Sequence, residues 1–203
     1  MNTGKILEHF SRKDPVIYTV MKTMDFSKWI GKKKTTRLEY FRSLCRQIIS
    51  QQLSGKAADT IQTRFEELFP EKNITPETLL KIEDQTLRDA GMSWAKVSYV
   101  KNIATEILGN RIRWSDFEKF NDENIICELI KIKGIGRWTA EMFLMFTLGR
   151  EDIFSHGDLG LKRGIERLYH LKNPSPKKIE TITSIWKPYR SYGSISLWQS
   201  LEK

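Results

Sequence analysis

Gly134-Ile135-Gly136, flanked by Lys133 and Arg137, is the stretch whose residue types and spacing best suit chemistry with a phosphate. Apolar residues at helical spacing precede it (Leu129, Ile130, Ile132), and residues expected to face inward at helical spacing follow it (Ala140, Phe143, Leu144, Thr147). The two glycines therefore read as a tight hairpin between two helices. Glycine tolerates the positive φ that such a turn needs and lets another backbone come close. A helix starting at Arg137 presents unpaired N–H groups and the positive end of its dipole to the hairpin. Ile135 at the tip would anchor the turn in the core. The same residues also fit two ordinary helix ends, one closed by Gly134 and one opened at Gly136. Phosphate contacts of this kind hold a duplex without reading its bases.

Other chemistries are poorly supplied. Cys45 and Cys127 are too few for an iron–sulfur cluster, and His9, His156 and His170 are too scattered for a zinc site. Both thiols read as buried small hydrophobes in a reducing cytosol, free of transition metals. Lys plus Arg total 34 against 25 Asp plus Glu, a net charge of +9. That balance attracts polyanions, although it also fits a basic surface with no particular partner. Hydrophobic residues are 39% and charged residues 29% of the 203, the proportions of a folded globular chain. No apolar run approaches the length of a membrane span, and the charges within Met1–Lys13 leave no signal-peptide core.

The elements that must position the hairpin are helical almost throughout. The spacing predicts a helix from Leu38 to Gln52 burying Phe41, Leu44, Cys45, Ile48 and Ile49, then, past Ser54 and Gly55, one from about Lys56 to Phe69. Thr75-Pro76 opens a further helix, Asp84 caps a short one, and Ser93 opens a long one with Val97, Val100, Ile103, Ala104, Ile107 and Leu108 inward. Ser115 opens a short turn, and Glu123–Ile132 leads into the hairpin with Ile125, Ile126, Leu129 and Ile130 apolar. A non-helical connector, Gly149 to Gly157, precedes helices over Asp158–His170, Pro176–Trp186 and Tyr189–Leu201. The expected fold is all-α, two helical lobes around a cleft, with no internal repeat.

Five ordered segments carry a family resemblance. They are Ile48-Ile49-Ser50-Gln51-Gln52-Leu53-Ser54 with Ala57-Ala58; Gly91-Met92-Ser93 with Lys96 and Tyr99; Ile132 to Ala140; Asp152 to Gly160; and Trp186-Lys187-Pro188-Tyr189-Arg190-Ser191-Tyr192 leading to Trp198. Together they resemble the helix–hairpin–helix DNA glycosylases of the AlkA type, the bacterial and yeast 3-methyladenine glycosylases, over about residues 38–201. The fuller bacterial versions carry an extra N-terminal β-rich domain. This chain is expected to be a single glycosylase unit of two lobes, 1–203, without it.

The resemblance implies a role for particular residues. The family's catalytic aspartate maps onto Asp158, where a carboxylate stabilises the positive charge that develops on the sugar or orients an attacking water. A helix start favours an anion there, although on local grounds such an Asp is an N-cap. Relatives often have a second acid immediately before it, where this chain has Gly157. Bifunctional relatives place a Schiff-base lysine where this chain has Trp138, so hydrolysis without strand cleavage is expected. Trp138 and Trp198 match aromatic walls of the family's base pocket, suited to a cationic alkylated purine, with Met142 one turn beyond Trp138. All three equally fit a core.

Gln52 aligns with the residue that fills the gap left by a flipped nucleotide, and Gln51 beside it fits almost as well. Lys133, Gly134, Gly136, Arg137 and Thr139 complete the expected DNA-binding set. The carbonyls of Ile130, Ile132 and Ile135 are the implied ligands of a monovalent cation, with no other cofactor required. The expected activity is release of 3-methyladenine, with 7-methylguanine second, from damaged double-stranded DNA by a monomer in the cytoplasm with the nucleoid. A same-fold glycosylase for deaminated or oxidised bases, and a non-catalytic hairpin module, are the alternatives. Asp158 with Trp138 and Trp198 weighs against the second.

Overall fold

In the computed structural model, the described residues (3–30, 35–53, 55–109 and 111–202) form twelve α-helices, three short 3-10 turns and no strand. The all-α expectation holds. Two compact units account for the chain: Lys33–Leu148, and a second made from Met1–Lys32 together with Gly149–Lys203.

The central unit is built on α3 (Arg37–Ser50), whose predicted face of Phe41, Leu44, Cys45, Ile48 and Ile49 is fully buried. Thr36 starts it with a capping box: its hydroxyl accepts the Glu39 amide while the Glu39 carboxylate accepts the Thr36 amide. Against α3 pack α4 (Gly55–Glu67), α7 (Trp94–Leu108) and α9 (Arg137–Phe146). Short helices α5 (Pro76–Lys81) and α6 (Asp84–Asp89) lie on α7, and α8 (Asp122–Leu129) packs on α9. Tyr40, Trp114, Phe117 and Phe143 join these elements in one aromatic cluster, with ring centroids 5.1–6.1 Å apart.

The other unit joins the two ends of the chain. Here α1 (Thr3–Lys13) and α2 (Pro15–Met21), which the periodicity reading does not reach, pack with α10 (Leu159–Leu168), α11 (Pro176–Ser184) and α12 (Arg190–Leu201). Every residue of α12 from Ser191 to Leu197 is buried, so it is a central helix with little amphipathic signal. Its small residues allow close packing. A Cβ on Gly164 of α10 would lie 2.8 Å from the Leu197 Cβ.

Several local expectations are corrected. Helix α3 ends at Ser50, so Gln51 and Gln52 lie in the turn beyond it; Ser54 lies outside the described residues. Glu83, not Asp84, holds the N-cap position of α6, and the turn near Ser115 starts at Trp114. The spacing points Leu108 inward, but as the last residue of α7 it turns outward, 46% exposed; Ile130, apolar at the C-cap of α8, is 48% exposed. Cys45 is buried, but Cys127 sits on the outer face of α8 and is exposed. No helix of the described residues is long and apolar enough to cross a membrane.

Candidate active site

The hairpin is as tight as its glycines imply. Ile135 donates its amide to the Ile132 carbonyl at 3.0 Å, closing the turn, and both side chains are buried. Gly134 has φ +107°, and a Cβ there would overlap the Tyr99 ring of α7. Both conformation and contact therefore require glycine. Gly136 differs. It is the extended N-cap of α9 (φ −92°, ψ 174°) with no neighbour close to its Cβ position.

Gly136 gives α9 no side-chain cap, and a helix N-terminus, with the positive end of its dipole, suits an anion. The two flanking cations are not equivalent. Lys133 is exposed. Arg137 spans two carboxylates, donating to Glu123 at 2.9 and 2.7 Å and to Glu141 at 3.1 Å. Glu123 raises the Arg137 pKa further, and its own carboxyl is held below the usual range, first by the hydrogen bond from Arg137. Lys131 is likewise paired, with Glu128 at 2.7 Å. The Thr139 side chain, expected among the DNA-binding groups, turns inward instead. It is 2% exposed and its hydroxyl accepts the Gln51 amide at 2.8 Å, because the turn after α3 packs on this face of α9. Thr139 thus offers a ligand only its backbone N–H.

That bond separates the two glutamines. Gln51 is half-buried and tied to α9, while Gln52 is exposed at the turn with φ +57°. On α9, Trp138 keeps 38% of its surface exposed and Met142 is 4% exposed.

Asp158 lies in the other unit, as does Trp198. Asp158 is the N-cap of α10: its Oδ1 accepts the Leu161 amide at 2.7 Å and the Trp198 indole N–H at 3.1 Å. A Cβ on Gly160 would lie 3.0 Å from both that oxygen and the Trp198 ring, so any larger residue at this crossing would press on the Asp158–Trp198 pair. The connector leading to Asp158 is bolted to the first turns of α12. Arg190 Nε donates to Asp152 Oδ1 at 2.7 Å and Ser191 Oγ to the Arg150 carbonyl at 2.6 Å; the Ile153 amide donates back to Ser191 Oγ at 3.0 Å. Arg190, Ser191 and Gly160 belong to segments that carry the resemblance, but periodicity offers no sign of these partners about forty residues away.

The structure thus brings Asp158 and Trp198 together in one unit. The hairpin, Gln51, Gln52, Trp138 and Met142 lie in the other. The family model of HhH-GPD superfamily base excision DNA repair proteins matches residues 45–188, which hold the turn after α3, the hairpin and Asp158. The chain belongs to the HhH-GPD superfamily. DNA-3-methyladenine glycosylase 1 of Schizosaccharomyces pombe is 34% identical over 169 residues, 80% of this HhH-GPD chain and 72% of that one. The crystal structure of a DNA-3-methyladenine glycosidase from Bacillus halodurans superposes with a TM-score of 0.76 at 32% identity, covering 96% of this chain and 88% of that one. The S. pombe 3-methyladenine DNA glycosylase Mag1, in complex with abasic DNA, superposes with a TM-score of 0.83 at 28% identity, covering 98% and 97%.

Proposed function

We propose that this base-excision repair protein is a monofunctional DNA glycosylase that hydrolyses the N-glycosidic bond of alkylated purines in duplex DNA, 3-methyladenine first and 7-methylguanine second. The observation that carries this reading is the carboxylate of Asp158, held at a helix N-terminus by the Leu161 amide and the Trp198 indole. Its support comes from a family of base excision repair proteins and from relatives named 3-methyladenine glycosylases.

In this reading the C1′–N bond breaks with its electron pair leaving on the purine. An alkylated purine already carries positive charge, so it departs neutral. The sugar becomes cationic, and the nearby Asp158 carboxylate stabilises that charge. Water then adds to C1′ and loses a proton, leaving an abasic site. Trp138, partly exposed on α9, is an electron-rich ring of the kind suited to a cationic base. Grip on the backbone falls to the first-turn amides of α9 and to Lys133. Gln52, at the exposed turn, is the residue that fills the gap left by the flipped nucleotide. The hairpin carbonyls suit a monovalent cation: Ile132 already accepts one amide, and a carbonyl has a second lone pair to give.

The test is incubation with methylated duplex DNA, identifying released bases by chromatography. Free 3-methyladenine with intact strands is expected, cleavage appearing only after alkali. Borohydride should trap no adduct, because Trp138 stands where a Schiff-base nucleophile would be needed. A stoichiometric adduct mapped to any lysine overturns the monofunctional part. Absence of base release overturns the whole.

A further inference from the structure

Helix α7 touches both DNA-facing features of the central unit through one winding stripe. Lys96 Nζ donates to the carbonyls of Ile49 at 2.7 Å and Gln51 at 2.9 Å, the last turn of α3 and the residue just beyond it. One turn on, the Tyr99 ring lies against Gly134, leaving no room for a Cβ. A further turn on, Asn102 Nδ2 donates to the Lys133 carbonyl at 3.1 Å. Three side chains within about 9 Å of helix rise thus hold the Gln52 turn at one end and the hairpin at the other.

We propose that α7 is a strut fixing the distance between the hairpin and the Gln52 turn, and that Lys96 is the positioning residue for Gln52. This rests on the reading of Gln52 as the gap-filling residue. Carbonyls at a helix C-terminus lack intrahelical partners, and here a single ammonium satisfies two of them. Gln52 sits at positive φ, a conformation a non-glycine residue keeps only when its surroundings impose it. Those surroundings are Lys96 on one side and the Gln51–Thr139 bond on the other. Burial also lowers the Lys96 pKa, so this ammonium is drawn partly out of water to make its contacts. A gap-filling side chain must be aimed relative to the phosphates that frame the gap, and small misplacement is costly in rate. A strut joining the two features supplies that aim.

The experiment compares Lys96→Met, Lys96→Arg and Gln52→Ala in the full chain. Single-turnover base release is followed from duplexes carrying 7-methylguanine either paired with cytosine or unpaired in a one-nucleotide bulge, where little flipping is needed. Lys96→Met is expected to lose about tenfold on the paired lesion and at most threefold on the bulged one. Its salt dependence for undamaged duplex should be unchanged. Lys96→Arg, which can still donate to both carbonyls, should recover most of the rate. Gln52→Ala should show the same paired-specific loss; if it does not, the gap-filling reading fails and takes this inference with it. If Gln52→Ala shows that loss but Lys96→Met loses equally on both substrates, or on neither, Lys96 is a helix cap only and the inference is overturned alone. Should Lys96→Met not fold, Asn102→Ala, which releases the hairpin end of the strut, decides the matter: a paired-specific loss supports the strut, and a uniform or absent loss refutes it.

Discussion

Asp14 and Asp158 are built alike and end in different states. Each is the N-cap of a helix in the same unit, each accepts an amide three residues on, and each accepts a tryptophan indole N–H from far along the chain. Asp14 is 4% exposed, and its second oxygen takes both the Trp186 N–H at 2.7 Å and the Tyr169 hydroxyl at 2.6 Å. Burial, then the hydrogen bond to Asp14, raises the Tyr169 pKa. Asp158 is only half-buried, with the amide and the indole as partners of Oδ1. The same local chemistry makes an enclosed structural staple where the surroundings close over it and leaves a carboxylate at the surface where they do not.

The largest expected effect comes from Asp158→Asn. Asparagine caps a helix about as well as aspartate, so the urea midpoint should hardly move. The rate of base release should fall by at least about three decades, roughly 4 kcal/mol of transition-state stabilisation. Near-wild-type release by the folded variant would erase the distinction between the two aspartates.

Asp14→Ala should act the opposite way. It leaves the Trp186 and Tyr169 donors without an acceptor, at about 1–3 kcal/mol each, so a loss of about 3 kcal/mol or more in unfolding free energy is expected. What remains folded at low temperature should release base at an unchanged rate per folded molecule. An unchanged urea transition would mean that the network contributes nothing.

The two indole donors sharpen the contrast. Trp198→Phe should lower base release about tenfold by loosening Asp158, with little change in stability. Trp186→Phe should cost about 1.5–3 kcal/mol of stability, the range for a hydrogen bond to a charged group, with little change in rate. Equal stability losses in both would show that Asp158 is a staple too.

A smaller effect tests the same contrast of satisfied and open groups at the hairpin. Lys133→Ala should weaken binding to undamaged duplex and reduce the salt slope by about one. Arg137→Ala should change that slope less, because Glu123 and Glu141 already claim the guanidinium. A larger drop for Arg137 would indicate that DNA displaces those carboxylates.

Helices with one buried face are legible in the order of residues, because their apolar periodicity is local; α3 and the inward residues of α9 follow it. Element ends are less so. At Ser50 the helix stops because Lys96 and the Gln51–Thr139 bond hold the following residues in a turn, and no neighbour in sequence announces this. Helices α1 and α2 belong to a unit completed only by the C-terminal segment from Gly149 to Lys203.

For the candidate site, residue types and order alone determined the hairpin, the aspartate at a helix start and the absence of a lysine at position 138, since each is a matter of local backbone preference and side-chain chemistry. Which charges are open and which are spent was decided in three dimensions. Arg137 and Lys133 look interchangeable in a string, as do Gln51 and Gln52, or Asp14 and Asp158. Their differences arise from partners brought close by packing, at separations of 14 residues for Arg137 and Glu123, 88 for Gln51 and Thr139, and 172 for Asp14 and Trp186. Burial and hydrogen-bond satisfaction are properties of the surroundings, and only the folded chain assembles them.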